Sequence, residues 1–149
     1  MQNEYPTLLH RWFDQVWNGK NEDAIDEILA PDVIGYGLTG PDGSAVNSAE
    51  TFKELYRAFV AAYPDINFEV QDAITQGDQI AARCRVTGSH TGDGLGFAAT
   101  QQKIDFTGIL WIRVKDGRMV EAWNEFNFMD MYTQLGALTL NAPQANVDA

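Results

Sequence analysis

Apolar and polar positions change period once along the chain, from a helical spacing to a strict alternation, and the change falls at Pro64. Before it, Leu8, Leu9, Trp12, Phe13, Val16 and Trp17 repeat at four-residue spacing, which predicts one stripe of a helix. Asn18-Gly19 ends that helix. Asn21 is placed to cap a second, short helix, with Glu22 and Asp23 in its first turn and Ile25, Ile28 and Leu29 facing inward. Pro31 stops it, residues 33–36 read as a short strand, and Gly35, Gly37 and Gly40 begin an irregular loop. A third helix starts near Asn47, where Asn47 and Glu50 have capping-box spacing. Phe52, Leu55, Tyr56, Phe59, Val60 and Tyr63 then fall on one face, the clearest helical pattern in the chain.

Beyond Pro64 the side chains alternate. Ile66, Phe68, Val70 and Ile74 share one face, and Ile80, Ala82, Cys84 and Val86 share the corresponding face of the next strand. A glycine-rich loop spans residues 88–96 and reads as a flexible rim or lid. Residues 104–114 form a long strand, Asp116-Gly117 is a hairpin turn, and residues 119–126 run back. A last helical turn or two covers residues 129–135, and residues 137–149 read as a loose tail behind a single domain over residues 1–136. Helices followed by an antiparallel meander predict an α+β fold. The long strand is apolar on both faces. Ile104, Phe106, Leu110 and Ile112 belong to one, Ile109 and Trp111 to the other. This pattern predicts a homodimer through the outer sheet face, with cover by a C-terminal segment as the alternative.

Composition narrows the function. The net charge of -11 argues against nucleic-acid and anionic-membrane partners, which need clustered Lys and Arg. No run of about 20 apolar residues predicts a membrane span. One cysteine excludes an internal disulfide, and Glu4, His10 and Arg11 break up any leader-like apolar run, so with no span expected a cytoplasmic location is the default expectation. His10 and His90 have no ligand spacing around them, so no metal site is expected, and the loop Gly92-x-Gly94-x-Gly96 lacks the context of a phosphate cradle. Cys84 reads as an inert core thiol.

Several stretches together resemble a known family. They are Trp17-Asn-Gly-Lys-Asn-Glu-Asp-Ala24, Leu29-Ala-Pro-Asp-Val33, Gly88-Ser-His-Thr-Gly-Asp-Gly-Leu-Gly96, Thr107-Gly-Ile-Leu-Trp-Ile-Arg-Val-Lys-Asp-Gly-Arg-Met119, Val120-Glu-Ala-Trp-Asn-Glu-Phe-Asn127 and Gln134-Leu-Gly136. Over about residues 5–136 the chain resembles the SnoaL-like polyketide cyclase family of the nuclear transport factor 2-like superfamily. The resemblance implies a cone, in which a strongly curved antiparallel sheet and three helices enclose a pocket at the wide end. It also implies intramolecular aldol ring closure by acid–base residues without a cofactor. Carried over residue by residue, the family's catalytic aspartate falls on Asn127, and a histidine one strand earlier falls on Leu110. An amide does not take up a substrate proton at useful pH, so both carry-overs fail.

The remaining candidates come from strand parity. His90 continues the inward parity of Ile80, Ala82, Cys84 and Val86, and an imidazole tuned near neutrality suits proton transfer; a turn-stabilising role in the loop is the alternative. Glu125 and Asn127 share parity with Met119, Glu121 and Trp123, which would bring Trp123 and Glu125 to the pocket. A carboxylate beside indole and aliphatic walls would have a raised pKa, and Asn127 would orient a carbonyl. Asp105 is expected on the outer face and Asp130 in the first turn of the last helix. Trp17, Tyr36, Tyr56, Phe59 and Phe106, with Leu110 and Trp123, are the expected apolar substrate contacts. Three functions follow. The first is a cofactor-independent cyclase, isomerase or hydratase acting on an apolar carbonyl compound. The second is a non-catalytic binding module for an apolar metabolite. The third is a protein-interaction domain, which would need a cone filled below about 300 Å³.

Overall fold

The computed structural model describes residues 4–138, with side chains from residue 7; of the expected tail, residues 139–149 lie outside the described residues. The first helical stripe divides. An α-helix, α1 (Glu4–Arg11), runs directly into a π-helix, Trp12–Asn18, which buries Trp12, Phe13, Val16 and Trp17. Two side chains tie the end of that helix to a strand. Asn18 Nδ2 donates to the Phe68 carbonyl at 2.9 Å while Phe68 N donates to Asn18 Oδ1 at 2.7 Å, a pairing that mimics a strand neighbour. Lys20 Nζ donates to the carbonyls of Trp17 and Ile66. Helix α2 (Ala24–Ile28) follows, ending before Pro31 as expected.

Helix α3 (Ala49–Ala62) carries a reciprocal capping box, one residue later than expected: Ser48 is the cap and Thr51 its partner, not Asn47 and Glu50. Thr51 N donates to Ser48 Oγ, and Ser48 N donates to Thr51 Oγ1, both at 3.0 Å. Helix α4 (Phe128–Gln134) closes the described chain.

Six strands form one curved sheet in the order β2-β1-β6-β5-β4-β3: β1 (Leu29–Thr39), β2 (Ala45–Val46), β3 (Asn67–Gln76), β4 (Gln79–Ser89), β5 (Lys103–Lys115) and β6 (Arg118–Phe126). Only β1 and β6 pair in parallel. Strand β1 is longer than the sequence pattern implies, because its glycines stay within the strand. Asp116 and Gly117 at the β5–β6 turn both take left-handed backbone angles, φ 52° and 77°, as a tight type I′ hairpin requires. The architecture is the expected α+β cone, with α1, the π-helix and α3 against the concave face.

Two β-bulges reset the alternation. Val70 opposes Cys84 while Asp72 opposes Arg83, so Gln71 is the extra residue of β3. Beyond it Ile74 turns outward and is 70% exposed, against the expectation of an inward face. On β6, Val114 opposes Met119 while Arg113 opposes Glu121, which makes Val120 extra. Met119 points inward, but after Val120 the inward set is Ala122, Asn124 and Phe126, opposite Ile112, Leu110 and Gly108. The expected inward set of Glu121, Trp123 and Glu125 therefore faces outward.

Candidate functional site

The concave side of the sheet and the helices enclose an apolar chamber of about 60 Å³. The π-helix supplies Trp12, Phe13 and Trp17; α3 supplies Phe52, Leu55 and Phe59; α4 supplies Phe128. The sheet contributes Leu38, Phe68, Phe106, Leu110, Phe126 and Asn124. The rings support one another in tilted and edge contacts, with Trp17 4.8 Å from Phe68, Trp12 5.1 Å from Phe52 and Phe106 6.0 Å from Phe128 between centroids. A wider space of about 360 Å³ adjoins the chamber, sharing Leu38, Leu55, Phe59 and Phe128 with it, and is rimmed by residues of 37–43, Gly94, Leu95 and Tyr132. The chamber alone is smaller than usual ligand sites. By the criterion of about 300 Å³ the chamber alone sides with a protein-interaction domain, whereas the adjoining mouth, taken alone, lies within the ligand-site range of about 300–1,000 Å³.

Asn124 is the one amide in this lining, and its orientation is fixed. Its Nδ2 donates to the Tyr36 carbonyl at 3.0 Å and lies 3.4 Å from that of Ala122, so the nitrogen faces backbone acceptors on strands β1 and β6. No donor among the described residues reaches its Oδ1. Among the described residues, no carboxylate, imidazole or cationic side chain lines either space.

The glycine-rich segment after β4 is docked rather than loose. A Cβ added at Gly92 would run into the Ala61 carbonyl, and one at Gly94 into that of Ala58, so these glycines permit the loop backbone to lie on the last turns of α3. Thr91 N and Gly92 N both donate to the Ala62 carbonyl. His90 sits beneath this loop. It points inward, as its parity predicts, but it packs against Tyr63 and Phe97 at centroid distances of 5.5 and 5.3 Å and lines neither space. Thr100 N donates to His90 Nδ1 at 3.1 Å, which places the ring proton on Nε2. That N–H and the Tyr63 hydroxyl are both buried without a partner. Burial lowers the His90 pKa and raises that of Tyr63.

Of the expected substrate contacts, Trp17, Phe59, Phe106 and Leu110 line the chamber. Tyr56 stands behind Trp17, its ring 5.0 Å away and its hydroxyl donating to the Val16 carbonyl at 2.8 Å, so it braces the wall instead of facing the space. Three residues expected at the pocket lie outside the sheet because of the bulge at Val120 and the register of β1. Tyr36 and Trp123 stack on each other at 5.2 Å across β1 and β6, and Glu125 is exposed opposite Ile109. Asn127 caps α4, accepting from Asp130 N at 3.0 Å, and does not look into the cone. The inward amide opposite Leu110 is Asn124. Asp105 is outside, in a two-bond pair with Arg85, and Asp130 lies in the first turn of α4, both as expected. Cys84 is buried, its thiol pushed up to about 12 by desolvation. Among the described residues no cluster of His, Cys, Asp and Glu has the geometry of a metal site, and no helix is long and apolar enough to cross a membrane.

The SnoaL-like polyketide cyclase family profile matches residues 7–135, nearly all of the described chain. The chain belongs to the SnoaL-like polyketide cyclase family. Solved structures agree. AclR, a hydroxylase candidate from Streptomyces galilaeus, superposes with a TM-score of 0.79 at 27% identity, covering 93% of this chain and 100% of its own. IdmH, a polyketide cyclase candidate from Streptomyces antibioticus, gives 0.75 at 27% identity over 88% and 97% of the two chains. TsrD from Streptomyces laurentii shares the fold, with a TM-score of 0.80 at 21% identity over 93% and 98%. A search of curated proteins finds no significant match. Within this SnoaL-like chain, the site that sequence reasoning missed is Asn124 with Phe52, Leu55, Phe68 and Phe128. The helical residues follow the expected periodicity and were legible as a wall. Asn124 was hidden by one extra residue in β6.

Proposed function

We propose that this SnoaL-like protein takes a neutral, apolar carbonyl compound into the aromatic chamber, its bulk in the adjoining mouth, and promotes ring closure there by confinement. The observation that carries this reading is an apolar, mostly aromatic wall in which, among the described residues, one oriented amide stands, Asn124, on the inner face of the last strand. In an aldol closure an enol carbon attacks a second carbonyl of the same molecule. A carbon–carbon bond forms, the carbonyl π pair moves to oxygen, and the proton leaving the enol hydroxyl ends on that oxygen. The reaction is an isomerisation and needs no co-reactant. Holding the two tethered ends in near-attack contact removes part of the conformational search that the free molecule makes in water. Water exclusion by the aromatic wall adds to this. His90 and Glu125 take no part in this reading, since one is sealed beneath the loop and the other faces away from the cone.

A panel of aryl-substituted 1,5-diketones, followed by NMR with and without protein, tests the proposal. Closure faster than in buffer, and slowed when Leu110→Phe narrows the chamber, is the expected result. Binding without acceleration would reject ring closure and leave the second reading, a carrier or sensor of an apolar metabolite. That reading draws its support from a chamber lining that, among the described residues, carries no ionisable side chain. As part of the same proposal, two copies pair through the outer sheet face at Ile109 and Trp111, in the cytoplasm.

A further inference from the structure

We infer that the chamber selects a neutral ring carrying a hydroxyl group, phenol or enol, and that the hydroxyl donates to Asn124 Oδ1. This inference rests on the chamber being the ligand site and adds the chemistry the ligand must present there. Amide nitrogen and oxygen are told apart by their neighbours. Asn124 Nδ2 is turned toward two backbone carbonyls, Tyr36 at 3.0 Å and Ala122 at 3.4 Å, which are acceptors only. The nitrogen is therefore committed to the protein, and Oδ1 is the free acceptor. Asn124 is buried and lines the chamber, and no donor among the described residues reaches that oxygen. That oxygen is not one of the sealed, unpartnered side-chain atoms of the described residues, so it stays open to a donor carried by a ligand.

The lining also limits the donor's charge. Among the described residues the space offers an ammonium group no carboxylate and a carboxylate ligand no cation, so either would lose its hydration uncompensated there. A hydroxyl group on an otherwise apolar ring is what remains. Elsewhere in the lining, Trp17 and Phe68, 4.8 Å apart, offer ring surface to such a group's carbon skeleton.

The test uses p-cresol, 4-methylanisole and p-xylene, with affinities read from the leucine methyl shifts of Leu38 and Leu110 in the full chain. In the wild type, p-cresol binds more tightly than 4-methylanisole, although the ether carries the extra methyl. In Asn124→Leu the ratio of p-cresol to p-xylene affinity falls about tenfold, while p-xylene still binds. A wild type that binds the ether as well as or better than the phenol would overturn the inference. So would an unchanged ratio in the variant. Both results leave the chamber intact as an apolar site. If none of the three shifts those methyls in the wild type, the inference and the ligand-site proposal fall together. Should the variant not fold, the wild-type comparison of phenol and ether decides alone.

Discussion

Asn124 owes its place to a residue with no side chain. Gly37 takes φ +81° on β1, and a Cβ there would collide with the Asn124 carbonyl. The parallel pairing of β1 and β6 is tight at this point, which is what lets Asn124 Nδ2 reach the Tyr36 carbonyl. Gly37→Ala is expected to cost about 1–3 kcal/mol in chemical denaturation. A neutral result would mean that the strands have room to part. His90 makes a second residue-scale prediction. Its folded pKa lies below the ordinary value near 6.5 because burial disfavours the charged ring. Tyr63 is the titratable side chain packed on it, and no charged group compensates the imidazolium. As pH falls through about 6.5, the unfolded chain takes up the proton first, so stability is full above that range and declines below it. Protonation would also compete with the Thr100 N bond to Nδ1 that pins the loop. Melting temperatures recorded across pH 5–8 should show this decline in the wild type and a flatter profile in His90→Asn.

At the scale of elements, the helices were readable in the sequence, and the strand faces only where pairing runs without a bulge. Helix α3 shows why. Its apolar stripe fixed its buried face, and only the cap was off by one, because Asn47 and Ser48 are both good caps and the choice depends on Thr51 closing the box. Ser48→Ala should cost about 1 kcal/mol, seen as a melting temperature lower by a few degrees. No change would place the cap elsewhere. Strand parity was legible on β4 and β5, where pairing runs without a break and the buried residues alternate as expected. It failed on β3 and β6 because a bulge adds one residue and inverts every side chain beyond it. Nothing local in Met119-Val120-Glu121 marks the extra residue; it is set by the fit of β6 between β5 and β1. The same inversion moved the site from Glu125 and Asn127 to Asn124. It also joined Tyr36 and Trp123 in a stack on the outside.

For the whole molecule, the two faces of the sheet divide the chemistry. The concave face is apolar, aliphatic over much of the sheet and aromatic around the chamber. The convex face exposes Ile109 at 51% and Trp111 at 47%, among ion pairs of Arg83 with Asp72, Arg85 with Asp105 and Arg113 with Asp78 and Glu121. Alternating charges of both signs around an apolar centre suit a self-complementary contact. Sedimentation should therefore find a dimer that Trp111→Lys dissociates; a monomeric wild type would contradict the pairing. Ligand entry from the concave side is read out by methyl NMR with bound 2-acetylnaphthalene. Intermolecular contacts to the Leu38, Leu55 and Leu110 methyls, with none to Ile74 or Ile109, are the predicted result. Contacts confined to Ile74 and Ile109, or none at all, would contradict it.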